Sequence, residues 1–500
     1  MEYKRQPNRS PNLQPRLIIH GGAGNITPAS LPPDRYQEFR KALLTIISKA
    51  HAYMTTPTEP ANSSTTASTA PAATLPSAIA VAAHAVTLLE DNPLFNAGRG
   101  AVFTRDGTNE LEASIMVSRG RAKRGVGVSG LRHVRNPILL ARALLERGDA
   151  DLAPKRARGA ETTMATTSPG DDLDVPSAQG HTHLHGAAAE QLARRYGIEL
   201  VPTSYFFTQR RWDEHIRGLE RERAACCDGK ACPSEKGEGF VSASWSKDEY
   251  LPQGTVGAVA LDVDGVVCCA TSTGGLTNKL SGRIGDTPTV GAGFWAEEWV
   301  DKVTRGGDLG STKHQAGMSA SLVLSGALKG LVAECLPTPW TYRPVLAAPG
   351  LNDNARITTR SVAVSGTGNG DSFLRTAAAR TVSSIARFGG MSSAIALNQV
   401  AGPGGELERS AGDRWGRTGE GEGGMIGIEC IVVRNDEGNV VEVRSEILQD
   451  FNCGGMFRAW VDEKGVAFAR VFREDQALSE GYDGEGQPEH PRAWCGEKTG

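Results

Sequence analysis

The chain has 500 residues, 39% hydrophobic content and a formal net charge of -3. This length permits a large core and more than one domain, and the charge predicts no attraction to nucleic acid or acidic membranes. No segment reaches the apolar length of a membrane-spanning helix, and residues 1–15 lack the apolar core of a secretion signal. We therefore expect a cytoplasmic protein.

The nine cysteines are an odd number scattered along the chain, which argues against a disulfide framework. Cys226, Cys227 and Cys232 lie close together, but no second Cys or His pair completes a zinc set. We interpret them as ordinary loop cysteines.

The first half of the chain predicts one strand and three helices. Residues 16–20 form a short apolar run that ends in a glycine-rich turn, as a buried strand does. Pro76 and Ser77 open a helix that runs to Leu89. Further helices are predicted over 136–147 and 186–196.

The second half is richer in strands, and Asp-Gly and Glu-Gly turns between them are hairpin signals. The predicted strands cover 256–261, 266–271, 425–433 and 440–447, and the predicted helices cover 319–331 and 371–388. Strands near both ends with helices between them favour layered sheets covered by helices rather than a βαβ repeat.

Four polar or Gly- and Pro-rich segments have no apolar period. They cover 56–77, 150–180, 337–359 and 401–424. Because they exceed the usual loop lengths of a compact domain, we expect insertions that are disordered or decorate the surface.

The pair Gly254-Thr255 places a threonine after a glycine at the start of a predicted strand. A hydroxyl there can attack the preceding carbonyl, and breaking the bond frees an α-amino group beside the same hydroxyl. An amine with a pKa of about 7.7–8.0 is a competent base near neutrality, and a threonine served by its own amine is an activated nucleophile. The pattern favours a self-cleaving threonine hydrolase.

Arg283 and Asp286 share a glycine-rich turn and could hold the carboxylate and ammonium of an α-amino acid. A surface ion pair is the alternative. The turn Ser365–Asp371 precedes a predicted helix and could present backbone N–H groups to an oxyanion or a phosphate. Its glycine spacing does not fit the dinucleotide-binding pattern.

Two further sets of polar residues can be explained without a functional role. Thr271, Ser272 and Thr273 could be strand-edge hydroxyls. The histidines could suggest a metal or a Ser-His triad, but no Gly-x-Ser-x-Gly turn accompanies them. These histidines are His20, His181, His183 and His185.

The chain resembles the plant-type L-asparaginases/isoaspartyl peptidases, which are N-terminal nucleophile hydrolases. Eight motifs in the family's order carry the resemblance between about residues 16 and 460. They are residues 19–24, 93–100, 111–116, 136–138, the strand from Thr255 with 271–275, 282–293, 366–370 and 451–456. Two positions depart from the family pattern: Val117-Ser118 stands for Asp-Gly, and Asn452-Cys453 for Asn-Thr.

The resemblance implies an α+β fold, a four-layer αββα sandwich of two mostly antiparallel sheets covered by helices. It implies one composite domain made of an α subunit over 16–254, with a linker over 224–254, and a β subunit over 255–470. Residues 471–500 are expected to form a tail.

The resemblance also implies site roles. Thr255 would be the nucleophile, freed by cleavage after Gly254, and Thr273 would hydrogen-bond it and assist processing. Thr367 and Gly368 would form the oxyanion pair and contact substrate. Arg283 and Asp286 would hold the α-carboxylate and α-ammonium of the substrate, and Asn96 would support the conformation of the site.

The implied activity is hydrolysis of L-asparagine or of β-aspartyl dipeptides by a dimer of cleaved protomers, without a cofactor. Glycosylasparaginase and threonine aspartase activities, and a binding protein that does not process itself, stay open as alternatives. Relatives hold a structural sodium through backbone carbonyls of a loop. The matching positions here are Leu89, Glu90, Asn92, Phe95, Ala97 and Arg99.

Overall fold

The computed structural model describes residues 13–57, 74–152, 180–227, 242–249, 254–304 and 356–494 apart from 475, 477 and 479. The chain divides into two compact units. The larger contains Asn12–Trp299, Arg360–Ile431 and Val443–Gly500, and the smaller contains Met1–Pro11, Val300–Thr359 and Val432–Glu442. The residues that form the candidate site belong to the larger unit.

The described residues form two β-sheets. In chain order the strands are β1 (Arg16–Gly24), β2 (Leu111–Val117), β3 (Gly125–Leu131), β4 (His183–His185), β5 (Val256–Leu261), β6 (Val267–Thr273), β7 (Phe294–Thr304), β8 (Arg356–Gly368), β9 (Gly423–Arg434), β10 (Val440–Phe451), β11 (Gly455–Val461) and β12 (Ala467–Arg470). One sheet has the order β12-β11-β1-β5-β6-β2-β3-β4, and the other has the order β10-β9-β8-β7. In the first sheet the β3–β4 pair is parallel, and the pairs around β1, β5 and β6 are antiparallel.

Helices lie between several of these strands along the chain. They are α1 (Pro33–Thr55), α2 (Ala78–Glu90), α3 (Pro137–Leu152), α4 (Gly186–Arg195), α5 (Gln209–Cys227), α6 (Gly370–Thr376), α7 (Ala378–Gly389), α8 (Ser393–Ala401) and α9 (Glu406–Ala411). None of the helices in these described ranges is long and apolar enough to cross a membrane.

Strand β5 shows how one sheet separates two environments, because successive side chains of a strand point to opposite faces. Val256, Ala258 and Ala260 belong to the core beneath the helices. Gly257 lies on the other face, where a Cβ would collide with Ser365 of β8 and with His20 of β1. The second face of the first sheet therefore meets the second sheet.

Helices cover the outer face of each sheet. The apolar helix α2 begins at the N-cap Ser77, whose hydroxyl accepts from Ala80 N–H at 3.4 Å, and it packs in the same core as β5. On the second sheet, Val364 and Leu448 share a core with Val382 of α7. The four-layer sandwich of helices, sheet, sheet and helices agrees with the predicted fold class.

Most predicted elements are confirmed. Helices α2, α3 and α4 and strands β1, β5, β6, β9 and β10 match their predicted positions, with shifted ends. Helices α1 and α5 were not predicted. The helix predicted over 319–331 lies outside the described residues, as do most residues of the first three predicted insertions.

The helix predicted over 371–388 is wrong as a single element. It is broken at Ala377, which has φ +46° and separates α6 from α7. A non-glycine residue in the left-handed region ends one helix and begins another.

The segment 401–424 is not surface decoration, contrary to expectation. It contains α9, and Leu407 there is fully buried in the core of the second sheet. The glycines obscured a short amphipathic helix. Strand β8 likewise begins at Arg356, inside the segment 337–359, and α3 extends to Leu152, inside 150–180.

Candidate active site

Thr255 stands immediately before β5 and is 3% exposed. Its carbonyl oxygen lies 2.9 Å from Nδ1 of His20, and Nε2 of the same ring lies 2.7 Å from Ser365 Oγ. Complete burial lowers the pKa of His20 to about 3, so the ring is neutral. A carbonyl can only accept, so Nδ1 donates to Thr255 and Nε2 accepts from Ser365.

The Thr255 hydroxyl meets the hydroxyl of Thr287, with 3.1 Å between the two Oγ1 atoms. Thr287 is 1% exposed. Thr273 lies beside Thr255 in the sheet, one step beyond the pair Val256–Ser272. Its hydroxyl accepts from Gly275 N–H at 3.0 Å. Among the described residues, the hydroxyl that meets the Thr255 hydroxyl is that of Thr287 and not that of Thr273.

The backbone before Thr255 is packed too closely for a side chain. A Cβ on Gly254 would lie 2.7 Å from Ala23 N and would collide with Gly22 Cα. Gly22 itself has φ +122°, and a Cβ on it would lie 3.2 Å from Gly254 Cα. Glycine is required at both positions, because any side chain would force the two segments apart.

Thr367 and Gly368 end β8 beside the same segment of β1. Thr367 Oγ1 accepts from the Ala23 N–H at 3.2 Å. Gly368 has φ +143°, and a Cβ there would lie 2.5 Å from Gly423 Cα. The structure thus brings the predicted oxyanion pair and Gly254 to the same turn of β1.

Arg283 and Asp286 converge on Gly370, the first residue of α6. A Cβ on Gly370 would lie 2.5 Å from Asp286 Oδ1 and 3.1 Å from Arg283 Nη2. Arg283 also forms an ion pair of 3.0 Å with the exposed Asp371. The two predicted clamp residues therefore meet on the β8–α6 turn that carries Thr367 and Gly368.

Asp286 is the electrostatic exception of the site. It is 5% exposed, and its Oδ2 is buried without a hydrogen-bond partner among the described residues. Burial raises the pKa of Asp286 to about 7, an effect that Arg283 opposes and Glu112 reinforces. A buried carboxylate oxygen without a partner is costly unless a ligand pairs with it.

A buried ion pair that the sequence analysis missed supports this turn. Lys279 Nζ lies 3.3 Å from Glu112 Oε1, and both side chains are 1% exposed. Glu112 accepts from Gly285 N–H at 3.3 Å, and Glu110 accepts from Gly282 N–H at 2.7 Å. The available signal was a glutamate in β2, a strand with no other charged residue.

Asn96 ties two loops together at the edge of the site. Its Nδ2 donates to Gly275 O at 2.7 Å, and its Oδ1 accepts from Val102 N–H at 3.0 Å. The Gly274 N–H donates to Asn96 O at 3.2 Å. The structure places Asn96 against the turn that follows Thr273.

The loop proposed for sodium is compact. A Cβ on Gly98 would lie 2.5 Å from Glu90 O, and one on Gly100 would collide with Phe95 O. Buried Arg211 donates to Gly100 O and Leu94 O at 2.8 Å each. Of the carbonyls expected to hold sodium, those of Leu89, Asn92 and Ala97 accept backbone N–H groups, and each keeps a second lone pair.

The other candidates remain apart from this site. His183 Nε2 and His185 Nδ1 share the hydroxyl of Ser129, at 2.8 and 3.0 Å. No group of three or more His, Cys, Asp or Glu suited to a metal occurs in the described part of the chain. Contrary to expectation, Cys226 and Cys227 end the helix α5 rather than lying in a loop; their side chains, and Cys232, lie outside the described residues.

The sequence matches the asparaginase family model over residues 13–158 and 174–308. The chain is 30% identical over 458 residues to an isoaspartyl peptidase of Escherichia coli, covering 92% of this chain and 96% of the relative. It is 29% identical to an isoaspartyl peptidase/L-asparaginase of Danio rerio, covering 58% and 70%. It is 34% identical to the protein of that name from Rattus norvegicus, covering 46% and 54%.

The ordered motifs and the matches over most of the chain agree. The chain belongs to the asparaginase family.

Proposed function

We propose that the chain cuts itself between Gly254 and Thr255 and then hydrolyses L-asparagine, β-aspartyl dipeptides or both. The observation that carries this proposal is the buried hydroxyl of Thr255, which stands beside Thr287 and directly after a glycine pressed against β1. The names of the relatives support the substrate class.

Self-cleavage begins with attack of Thr255 Oγ1 on the carbonyl carbon of Gly254. The C–N bond then breaks, the nitrogen takes the hydroxyl proton, and the chain continues through an ester. Water hydrolyses that ester, which leaves a carboxylate on Gly254 and a free amine and hydroxyl on Thr255. The contact between Gly254 and Gly22 supports this step because it restricts the scissile backbone.

In the mature protein the α-amine of Thr255 accepts the hydroxyl proton as the oxygen attacks the side-chain carbonyl of the substrate. The Thr367 hydroxyl and the Gly368 N–H then donate to the oxyanion, and each donor contributes about 3–4 kcal/mol in comparable sites. A β-aspartyl ester forms, ammonia or the peptide amine leaves, and water releases aspartate.

Arg283 and Asp286 select the substrate by its two charges. The guanidinium would pair with the α-carboxylate, and the unpartnered Oδ2 of Asp286 would accept from the α-ammonium. An internal peptide bond offers neither charge, so this pair argues against an endopeptidase that cuts proteins.

Purified, fully cleaved protein should be assayed in parallel with asparagine, β-Asp-Leu and GlcNAc-Asn. We expect release of aspartate from one or both of the first two. Turnover of GlcNAc-Asn alone would instead make the chain a glycosylasparaginase, and no turnover of any of them would contradict the proposed substrate class.

The proposal extends to a structural sodium on carbonyls of residues 89–99 and to a dimer of cleaved protomers. The sodium and the dimer both rest on the resemblance. Bound sodium would hold the loop of Asn96 and take no part in the reaction. Melting curves in sodium and choline chloride test the ion, and sedimentation tests the dimer.

A further inference from the structure

We propose that Thr287 is a catalytic residue whose hydroxyl is hydrogen-bonded to the hydroxyl of Thr255 and fixes the direction of the attacking oxygen in self-cleavage and in turnover. This inference rests on the proposed function, because it assumes that Thr255 is the nucleophile. It adds a residue that neither the motifs nor the resemblance assigned.

The contact is direct and dry. The two Oγ1 atoms lie 3.1 Å apart, and Thr255 and Thr287 are 3% and 1% exposed. A hydroxyl can donate one hydrogen bond while accepting others. With water excluded, a hydrogen bond between these two hydroxyls is stronger than it would be in solvent.

The backbone around Thr287 is fixed on both sides. Thr287 O accepts from Ser114 Oγ at 2.6 Å, and Ser114 is itself bonded to Thr271 Oγ1 at 2.7 Å. On the preceding side, Gly285 N–H donates to the buried carboxylate of Glu112. The hydroxyl is therefore held in place before the reaction starts, as a group that orients a nucleophile must be.

The chemistry needs such a contact most before cleavage. The nitrogen of Thr255 is then an amide, which cannot serve as a base or orient the hydroxyl. As Oγ1 bonds to the Gly254 carbon, negative charge develops on the Gly254 carbonyl oxygen, and the Oγ1 proton finally rests on the departing nitrogen. Thr287 keeps its own proton throughout and acts by holding Oγ1 in line with the carbonyl carbon.

Because Thr287 is next to Asp286 in the sequence, a change at Thr287 can also affect substrate binding. One short segment then contacts the nucleophile through residue 287 and, in the proposed function, the substrate ammonium through residue 286. A substitution at Thr287 could thus act through the hydroxyl or through the clamp. The effects on kcat and on KM separate these two possibilities.

The test compares Thr287→Val, which keeps the shape and removes the hydroxyl, with Thr287→Ser, which keeps the hydroxyl. Thr381→Val, on α7, is the control for loss of a threonine hydroxyl elsewhere. The rate at which the Thr255 amino terminus appears, kcat and KM are measured on each variant, and circular dichroism checks folding.

We expect Thr287→Val to slow cleavage and kcat by about 10- to 100-fold, the size of effect that misplacing a reacting atom produces. The KM of this variant should stay close to the wild-type value. In Thr287→Ser and Thr381→Val, the cleavage rate, kcat and KM should all stay close to wild type. If Thr287→Val does not fold, Thr287→Cys is measured instead. A thiol forms weaker hydrogen bonds than a hydroxyl, so the cleavage rate and kcat of this variant should be lower than those of wild type and Thr287→Ser, but not zero.

Unchanged cleavage and kcat in Thr287→Val would overturn the proposal. So would a serine variant as slow as the valine one, or a rise in KM with kcat unchanged. A wild-type chain that cleaves itself but hydrolyses no tested substrate would refute the proposed substrates alone. A wild-type chain that does neither would overturn both proposals.

Discussion

Around Thr255 the polar atoms are paired, whereas at Asp286 a buried carboxylate oxygen has no partner among the described residues. His20 and Thr287 meet the carbonyl and the hydroxyl of Thr255, and Ser365 meets the far side of His20. On the other side, burial raises the pKa of Asp286 to about 7.

The difference separates two tasks. A nucleophile that must react at one place is held by contacts that are complete before any ligand arrives. A binding residue that discriminates by charge is left incomplete, because its missing partner is the ligand itself. The nucleophile side should therefore control rates, and the clamp side should control substrate affinity.

The largest expected effect is at the nucleophile. Thr255→Ala removes the attacking oxygen, so both self-cleavage and hydrolysis should disappear. Thr255→Ser is the matched control and should retain both. Gel analysis of fresh and aged protein and an aspartate-release assay measure the outcome, and cleavage at the same bond in the alanine variant would contradict the assignment.

The next effect is at the clamp. Arg283→Ala should raise KM by about 10- to 100-fold, since a hydrogen bond between charged groups contributes about 1.5–3 kcal/mol. Self-cleavage should stay near normal, because that reaction needs no bound amino acid. Steady-state kinetics and a cleavage time course measure both; a loss of cleavage would make Arg283 a structural residue.

A smaller effect should follow pH through Asp286. Burial gives this carboxyl a pKa of about 7, so below that pH it becomes neutral and loses its attraction for an ammonium. KM should therefore rise as the pH falls, by about tenfold for each unit well below 7. In Asp286→Asn, KM should be high and independent of pH between 5 and 8, and a wild-type KM without this pH dependence would argue against the role.

The smallest expected effect lies behind the nucleophile. Ser365→Ala removes the donor to Nε2 of His20 and leaves that nitrogen buried and unpaired. The free energy of unfolding should fall by about 1–3 kcal/mol, with a modest loss of kcat. Urea unfolding and kinetics measure the two effects, and a large rise in KM with full stability would show that His20 acts on the clamp.

Much of the fold followed from apolar patterns, because α2 and β5 are nearly uninterrupted apolar runs. Helix α5 was missed because its charged residues include Arg211 and Glu214, which are buried as a pair. The break at Ala377 was missed because alanine normally continues a helix.

The candidate site was likewise predicted only in part. The residues carried by motifs, such as Thr255, Thr367 and Arg283, are brought together by the structure. Thr287 and the pair Glu112–Lys279 were missed, since a hydroxyl or a buried charge acquires its meaning only from partners distant in sequence.

Amino-terminal sequencing of purified protein is the most direct test of self-cleavage at Thr255. We expect two amino termini, the second reading Thr-Val-Gly-Ala from residue 255, with hydrolysis increasing as this terminus appears. An undivided chain of 52.9 kDa after long incubation, whether or not it releases aspartate, would contradict it.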